Sequence, residues 1–378
     1  MMRIPLSTPD ITDVEIEAVA AVLRTPWLSR GPRLAEFERE LAARVGVAHG
    51  VAVSSGTAGL HLSVRACGVK AGDEVITSPF GFIASANAIL YEHAVPVFVD
   101  VDPVGLNIDP ERIEAAITSR TRAILVVHTF GRPAPMPRIL AIARAYRLAV
   151  IEDACEAIGA KVDGRTVGSL GTCGVFGFYP NKQITTGEGG MIVTGDPELA
   201  AMCRSLRNQG RDEGEGAMSD AHARLGYNYR LSELACALGI AQLRRLDTLL
   251  AHRRAVAMRY HERLAGQPDL VLPAVDVAGS QTSWFVYVVR LAPAFSGEDR
   301  DWVAAEMRRR GIGCGRYFPP IHLQPHVQAA LGHRCGDFPV AEAASARTLA
   351  LPFSSHITDD ELDDVCETLL NLLASCDL

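Results

Sequence analysis

From Val51 to Thr194 the chain alternates short apolar runs with stretches of helical spacing. The runs read VAVSS, EVITSPF, VPVFVDVD, AILVVHTFG, LAVIEDA, GVFGFYP and MIVTGD. Most are continuously apolar instead of alternating, which predicts strands buried on both faces and so a mainly parallel sheet. Between them, PRILAIARAYRLA repeats its apolar residues every three to four positions. RLAEFERELAARVG does the same ahead of the first run, so both are read as helices packed on the sheet. A long helical pattern covers Leu231 to about Gly266. Beyond it, SWFVYVVRLAP reads as a strand, DWVAAEMRRRG as a helix and DDELDDVCETLLNLLAS as a last helix.

These elements predict an α/β protein: a large unit with a mainly parallel seven-stranded sheet flanked by helices, then a small α+β unit. The boundary is placed near residue 250, giving 1–250 and 251–378. A chain of 378 residues exceeds what one core usually supports. Composition narrows the function. The 44 acidic residues outnumber 37 basic ones, and no basic block is long enough to track a phosphate backbone, so nucleic acid is not expected as a partner. The N-terminal residues turn polar before an apolar stretch of leader length, and no run of about 18 apolar residues occurs. Nine cysteines occur without a C-x-x-C pair. That number and spacing read as reduced, individually buried thiols in a cytoplasmic protein, with neither disulfide nor metal site.

Candidate chemistry collects at the strand ends, where open α/β sheets bind ligands. In SSGTAGLHLSV a strand gives way to a helix near Thr57, and the free N–H groups of a helix start make an anion seat. Thr57 as a simple helix cap accounts for the same residues. In AVIEDACEAIGA, Glu152 and Asp153 close a buried strand, and a carboxylate there needs a partner: an arginine, a helix start, or a protonated ring nitrogen. In FGFYPNKQITTGEGG, Lys182 stands where a strand runs into a glycine-rich bend. A surface loop explains a lone lysine; a desolvated one has a lowered pKa, and the free amine adds to a carbonyl. Anion seat, carboxylate and lysine together are what pyridoxal phosphate requires. Phe82, in SPFGFIASANA, could stack on a ring or sit in the core. Asn228 and Arg230, in GYNYRLSELACALG, read alone as a turn and cap. The chain has neither a G-x-G-x-x-G nor a Walker loop, which argues against a nicotinamide dehydrogenase.

Taken in order, WLSRGPRLAEFE, SSGTAGLHL, PVFVDVD, IEDACEAIGA, FYPNKQITTGEGGMI, GYNYRLSELACALG, RYFPPIHLQPH and GDFPVAE resemble the nucleotide-sugar aminotransferases of the DegT/StrS type, within fold-type I pyridoxal phosphate enzymes. The resemblance runs nearly end to end. It implies that Lys182 carries the cofactor aldehyde and Asp153 pairs with the pyridine nitrogen. Gly56, Thr57 and Ala58 match the phosphate turn, and Phe82 the stacked aromatic. Asn228 matches an asparagine that reaches the phosphate of the neighbouring subunit, which implies a homodimer with shared sites. Lysine at position 182, where sugar-dehydrating relatives have histidine, implies amino transfer.

Two positions depart from the pattern: Gly177 replaces a phosphate-binding serine, and Glu156 stands where many relatives have glutamine or histidine. Glu156 resembles perosamine synthases, which aminate a 4-keto-6-deoxyhexose. The implied partners are a keto sugar nucleotide and L-glutamate. Tyr317, His322, Trp27 and Arg30 are candidates for the sugar groove, with Arg30 and Arg316 for the diphosphate; His322 reads equally as structural. Two rivals stay open, a cyclitol or other ketone as acceptor and a non-catalytic, cofactor-binding regulator.

Overall fold

A computed structural model describes residues 2–212, 221–276 and 279–376. Seven strands form the central sheet: β1 (His49–Val53), β2 (Glu74–Thr77), β3 (Val95–Phe98), β4 (Thr121–Val127), β5 (Ala149–Asp153), β6 (Cys173–Gly177) and β7 (Gly190–Thr194). Their order across the sheet is β1-β7-β6-β5-β4-β2-β3. All pairings except those of β7 are parallel, while β7 runs antiparallel to both β1 and β6. The seven-stranded, mainly parallel α/β expectation is met.

Burial on both faces explains the continuous apolar runs. One face packs Ala52, Ile76, Ile124, Val126, Val150 and Phe176 against helices α2 (Pro32–Val45) and α5 (Met136–Tyr146). The other packs Val53, Val75, Leu125, Ile151 and Ile192 against α3 (Gly56–Ala66), α4 (Ala84–Tyr91) and α6 (Pro197–Arg207). The predicted single helix from Leu231 is two, α7 (Glu233–Arg244) and α8 (Leu246–Leu264), broken at Arg245. Leu246 and Leu249 of α8 join the core of the large sheet, and Val256, Tyr260 and Leu264 join a second core. That second core surrounds a three-stranded antiparallel sheet of β8 (Leu270–Val271), β9 (Tyr287–Leu291) and β10 (Thr348–Leu351), and Ile4 from the N-terminal segment packs into it.

All nine cysteines are free, but Cys335 is exposed, so not every thiol is buried as expected. Cys335 lies in a loop where its thiol donates to the Glu342 carboxylate at 3.2 Å, a polar partner that needs no burial. Among the described residues no helix is long and apolar enough to cross a membrane.

Candidate active site

The topology brings three sequence-distant segments to one edge of the sheet. β1, β5 and β6 are parallel, so the start of α3, the end of β5 and the loop after β6 emerge side by side. They enclose a cavity of about 500 Å³ whose lining includes Gly56, Thr57, Phe82, Asp153, Glu156, Gly177, Lys182 and Tyr317. Lys182 stays at this edge because β6 and β7 form a hairpin. Phe178 N–H donates to the Gly189 carbonyl at 2.9 Å, Thr186 N–H to Phe178 O at 3.0 Å, and Lys182 N–H to Tyr179 O at 2.9 Å. The strand that runs antiparallel to its neighbours among the described residues of the sheet, β7, is thus the return limb of the lysine loop.

The two carboxylates of AVIED separate by strand alternation, which sends adjacent side chains to opposite faces. Glu152 is fully buried and faces away from the cavity. It accepts from the N–H groups of Gly168 at 2.8 Å and of Leu170 and Gly171 at 2.7 Å each. His128 completes the set: its Nδ1 accepts from Ala134 N–H at 3.0 Å, so its Nε2, 3.0 Å from Glu152, carries the donated proton. Glu152 is therefore a loop clamp. Asp153 faces the cavity, and among the described residues Ser85 Oγ–H donates to it at 2.5 Å and Cys155 N–H at 3.2 Å, with the Cys155 thiol beside it. A carboxylate accepts about four hydrogen bonds, so acceptor capacity is left for a proton donor in the cavity.

Lys182 Nζ lies 3.7 Å from Glu156 Oε1 and 3.8 Å from the centre of the Phe285 ring. Glu156 also accepts from Phe130 N–H at 2.8 Å. Burial raises its carboxyl pKa above the ordinary value, against the pull of Lys182 and the Phe130 N–H. The loop lysine is largely buried beside an acid and an aromatic face, not a solvated surface group.

At the opposite end, Ser55 caps α3 by accepting Ala58 N–H at 3.0 Å. The expected phosphate turn is narrower as a result: the Ala58 N–H is committed to the cap and Ala58 does not line the cavity. Gly56 and Thr57, the first two helical residues, keep N–H groups that no carbonyl within the helix can accept. The floor between them and β6 is glycine backbone. A Cβ at position 56 would meet Cys155 Sγ at 2.8 Å, and one at 177 would meet Cys155 Cβ at 3.2 Å. Cys155 fills the space beside Gly177, and burial with the neighbouring Asp153 charge pushes its thiol pKa well up, which makes it a space-filling thiol.

The other expected residues divide. Phe82 lines the cavity and is 59% exposed, so it is not a core aromatic. Tyr317 also lines it, its hydroxyl accepting from Asn181 Nδ2 at 3.4 Å. His322 does not reach it: the ring is fully buried, bonded through Nε2 to Glu342 at 2.9 Å and packed edge-on to Phe338. Trp27, Arg30 and Arg316 are exposed and outside the lining. Asn228 is exposed on a bridge to Asn208, and Arg230 donates to the Asn208 side chain at 3.1 Å; neither lines the cavity of its own chain. Ser85, Cys155, Asn181, Phe285 and Phe318 went unnoticed in the sequence. Ser85 sits in ordinary helical sequence two strands away from Asp153, and Phe285 comes from 100 residues further on, so no local pattern marks them.

An amine, a carboxylate with spare acceptor capacity, a helix start and an exposed aromatic ring converge on one cavity. That donor set fits pyridoxal phosphate: Gly56 and Thr57 would hold its phosphate, Asp153 would pair with its ring nitrogen and Lys182 would meet its aldehyde. Fold and site together define a PLP-dependent aminotransferase. The chain belongs to the DegT/DnrJ/EryC1/StrS aminotransferase family, whose sequence pattern matches residues 9–370. It is 40% identical over 374 residues, 98% of each chain, to GDP-perosamine synthase of Caulobacter vibrioides. It is 39% identical over 382 residues to the spore coat polysaccharide biosynthesis protein SpsC of Bacillus subtilis, covering 99% of this chain and 98% of that one. The solved PLP form of Spr1654 from Streptococcus pneumoniae superposes with a TM-score of 0.93, at 27% identity over 98% of each chain.

Proposed function

We propose that the protein transfers an amino group from L-glutamate to the keto group of a nucleotide-linked sugar, most specifically C4 of a 4-keto-6-deoxyhexose. The observation that carries amino transfer is the convergence of Lys182, Asp153 and the α3 start on one cavity. The choice of acceptor is supported by Glu156, which resembles perosamine synthases, and by the likeness to a GDP-perosamine synthase.

Bound in this cavity, PLP supplies an aldehyde for amine exchange and a ring that withdraws electrons from the carbon losing its proton. The protein's part is positioning and proton transfer. Gly56 and Thr57 hold the phosphate through backbone N–H groups and the helix dipole. Asp153 would accept a hydrogen bond from the protonated ring nitrogen, and Ser85 Oγ–H and Cys155 N–H fix the carboxylate's orientation. Lys182 Nζ removes the donor Cα proton, and in the second half delivers a proton to the sugar carbon that receives the amine. Glu156, 3.7 Å from Nζ, keeps the amine beside the reacting carbon. Phe82 would stack on the cofactor ring, and Tyr317 borders the space left for the acceptor.

The test is a panel of acceptors incubated with the PLP-loaded protein and L-glutamate, with 2-oxoglutarate release followed. Amination of nucleotide-linked 4-keto-6-deoxyhexoses is expected. Turnover confined to cyclitol ketones would overturn the acceptor, and no turnover with any ketone would favour a binding role. Lys182→Ala is expected to abolish turnover and the yellow lysine-linked absorption while the cofactor still binds non-covalently. Full activity in that variant would remove the lysine from its role.

A further inference from the structure

A second, smaller hollow of about 40 Å³ lies outside the cofactor cavity, between the loop after β3, the turn at Thr129–Gly131 and strand β9. It has room for roughly three waters. Leu106, Thr129, Phe130, Arg132, Trp284 and Arg290 are part of its wall. Thr129 and Trp284 are 1% and 2% exposed, yet the Thr129 hydroxyl and the Trp284 indole N–H have no hydrogen-bond partner among the described residues. Buried polar groups are almost always paired, and an indole N–H can only donate.

The charge balance points the same way. Among the described residues the Arg132 guanidinium makes no hydrogen bond or ion pair. Arg290 donates once, to the Pro103 carbonyl at 2.6 Å. Asp102 and Asp276 partly offset this charge through space, but neither forms a hydrogen bond or ion pair with Arg132 or Arg290 among the described residues. Asp102 accepts the N–H groups of Val104 at 2.9 Å and Gly105 at 2.6 Å. Asp276 pairs with Arg254 at 2.8 Å and accepts Thr282 N–H at 3.1 Å. Arg347 adds a further positive field at Arg290. Burial accordingly pulls both Arg132 and Arg290 below the ordinary arginine value.

We propose that this hollow binds a small oxyanion, a carboxylate or phosphate group, held by Arg132 and Arg290 with the Trp284 indole N–H and the Thr129 hydroxyl as further donors. A cluster of donors in which the arginines outnumber the neighbouring carboxylates suits an anion. The site is distinct from the cofactor's phosphate seat. Phe130 separates them: it lines the hollow and stacks at 5.5 Å on Phe318, which lines the cofactor cavity. The proposal does not depend on which ketone is aminated.

Calorimetric titration of the PLP-loaded protein with inorganic phosphate tests it, because the cofactor already fills its own phosphate seat. Saturable binding of one phosphate per chain is expected, weakened about tenfold or more by Arg132→Gln, the loss of a charged hydrogen-bond partner. Thr129→Val removes an unpaired buried hydroxyl, so it should fold normally and weaken binding by a smaller factor. Both variants should keep the wild-type cofactor absorption. An acetate titration separates the two ligand classes: acetate binding as tightly as phosphate marks a carboxylate site, and tighter phosphate marks a phosphate site. Absence of saturable heat with either anion, or identical isotherms for wild type, Arg132→Gln and Thr129→Val, would overturn the proposal.

Discussion

Ser85 and Asp153 show how much rests on one hydroxyl. Asp153 needs an orientation as well as a charge, and Ser85, itself fully buried, donates to it at 2.5 Å. A hydrogen bond to a charged group is worth about 1.5–3 kcal/mol. Ser85→Ala is therefore expected to lower kcat by about tenfold with little change in KM, and Ser85→Thr to restore most of it. Loss of stability with unchanged kcat would make Ser85 a packing residue only. Asp153→Asn is expected to cost about 100-fold or more, in the range of losing a preorganised electrostatic partner. A near-normal rate would show that another group serves the ring nitrogen. Glu152, next in sequence, gives a contrasting expectation: three of its four donors tie down the loop at 168–171 and the fourth is His128, so its substitution should show first in stability.

At the scale of elements, the N-terminal helix α1 (Asp13–Leu23) is fastened where α7 gives way to α8. Glu15 closes a capping box with Thr12 and reaches Arg245 at 2.8 Å and Gln242 at 3.0 Å. Burial alone would raise its carboxyl; the hydrogen bonds from Thr12, Arg245 and Gln242 overcome that and hold the pKa at about 2, against 4.5 unperturbed. A depressed acid pKa means that the folded state binds fewer protons than the unfolded one between those values. The stabilisation is present above about pH 4.5 and is lost as pH falls toward 2. Glu15→Gln is thus expected to lower the thermal midpoint at neutral pH and to lose that deficit in acid. An equal deficit at both pH values would mean that the carboxylate charge plays no part.

For the whole molecule, the placement of Asn228 bears on assembly. It is exposed and lies outside its own chain's cavity, while the resemblance assigns it to the neighbouring subunit's phosphate. If sites are shared in a homodimer, Asn228→Ala and Lys182→Ala should both be poorly active alone. Mixed and reassociated, they should recover up to about a quarter of wild-type activity, since half the dimers are mixed and each holds one intact site. No recovery after proven subunit exchange would show that each chain builds its site alone.

Strand periods in the sequence already determined the seven-stranded α/β sheet, and motif order marked Lys182 and the Glu152–Asp153 pair as candidates. Those features are local: apolar runs follow from two-sided burial, and a lysine before TTGEGG can be read in a single segment. Which of two adjacent carboxylates faces the ligand was decided by the pleat of β5, together with the loop that folds over Glu152. That His322 is buried away from the cavity, and that Ser85 and Phe285 join the site, were likewise decided only by tertiary structure. The physical reason is that these contacts join residues tens to hundreds of positions apart. Hydrogen-bond partners depend on strand order and on which face a side chain takes, and no neighbour in the sequence carries that information.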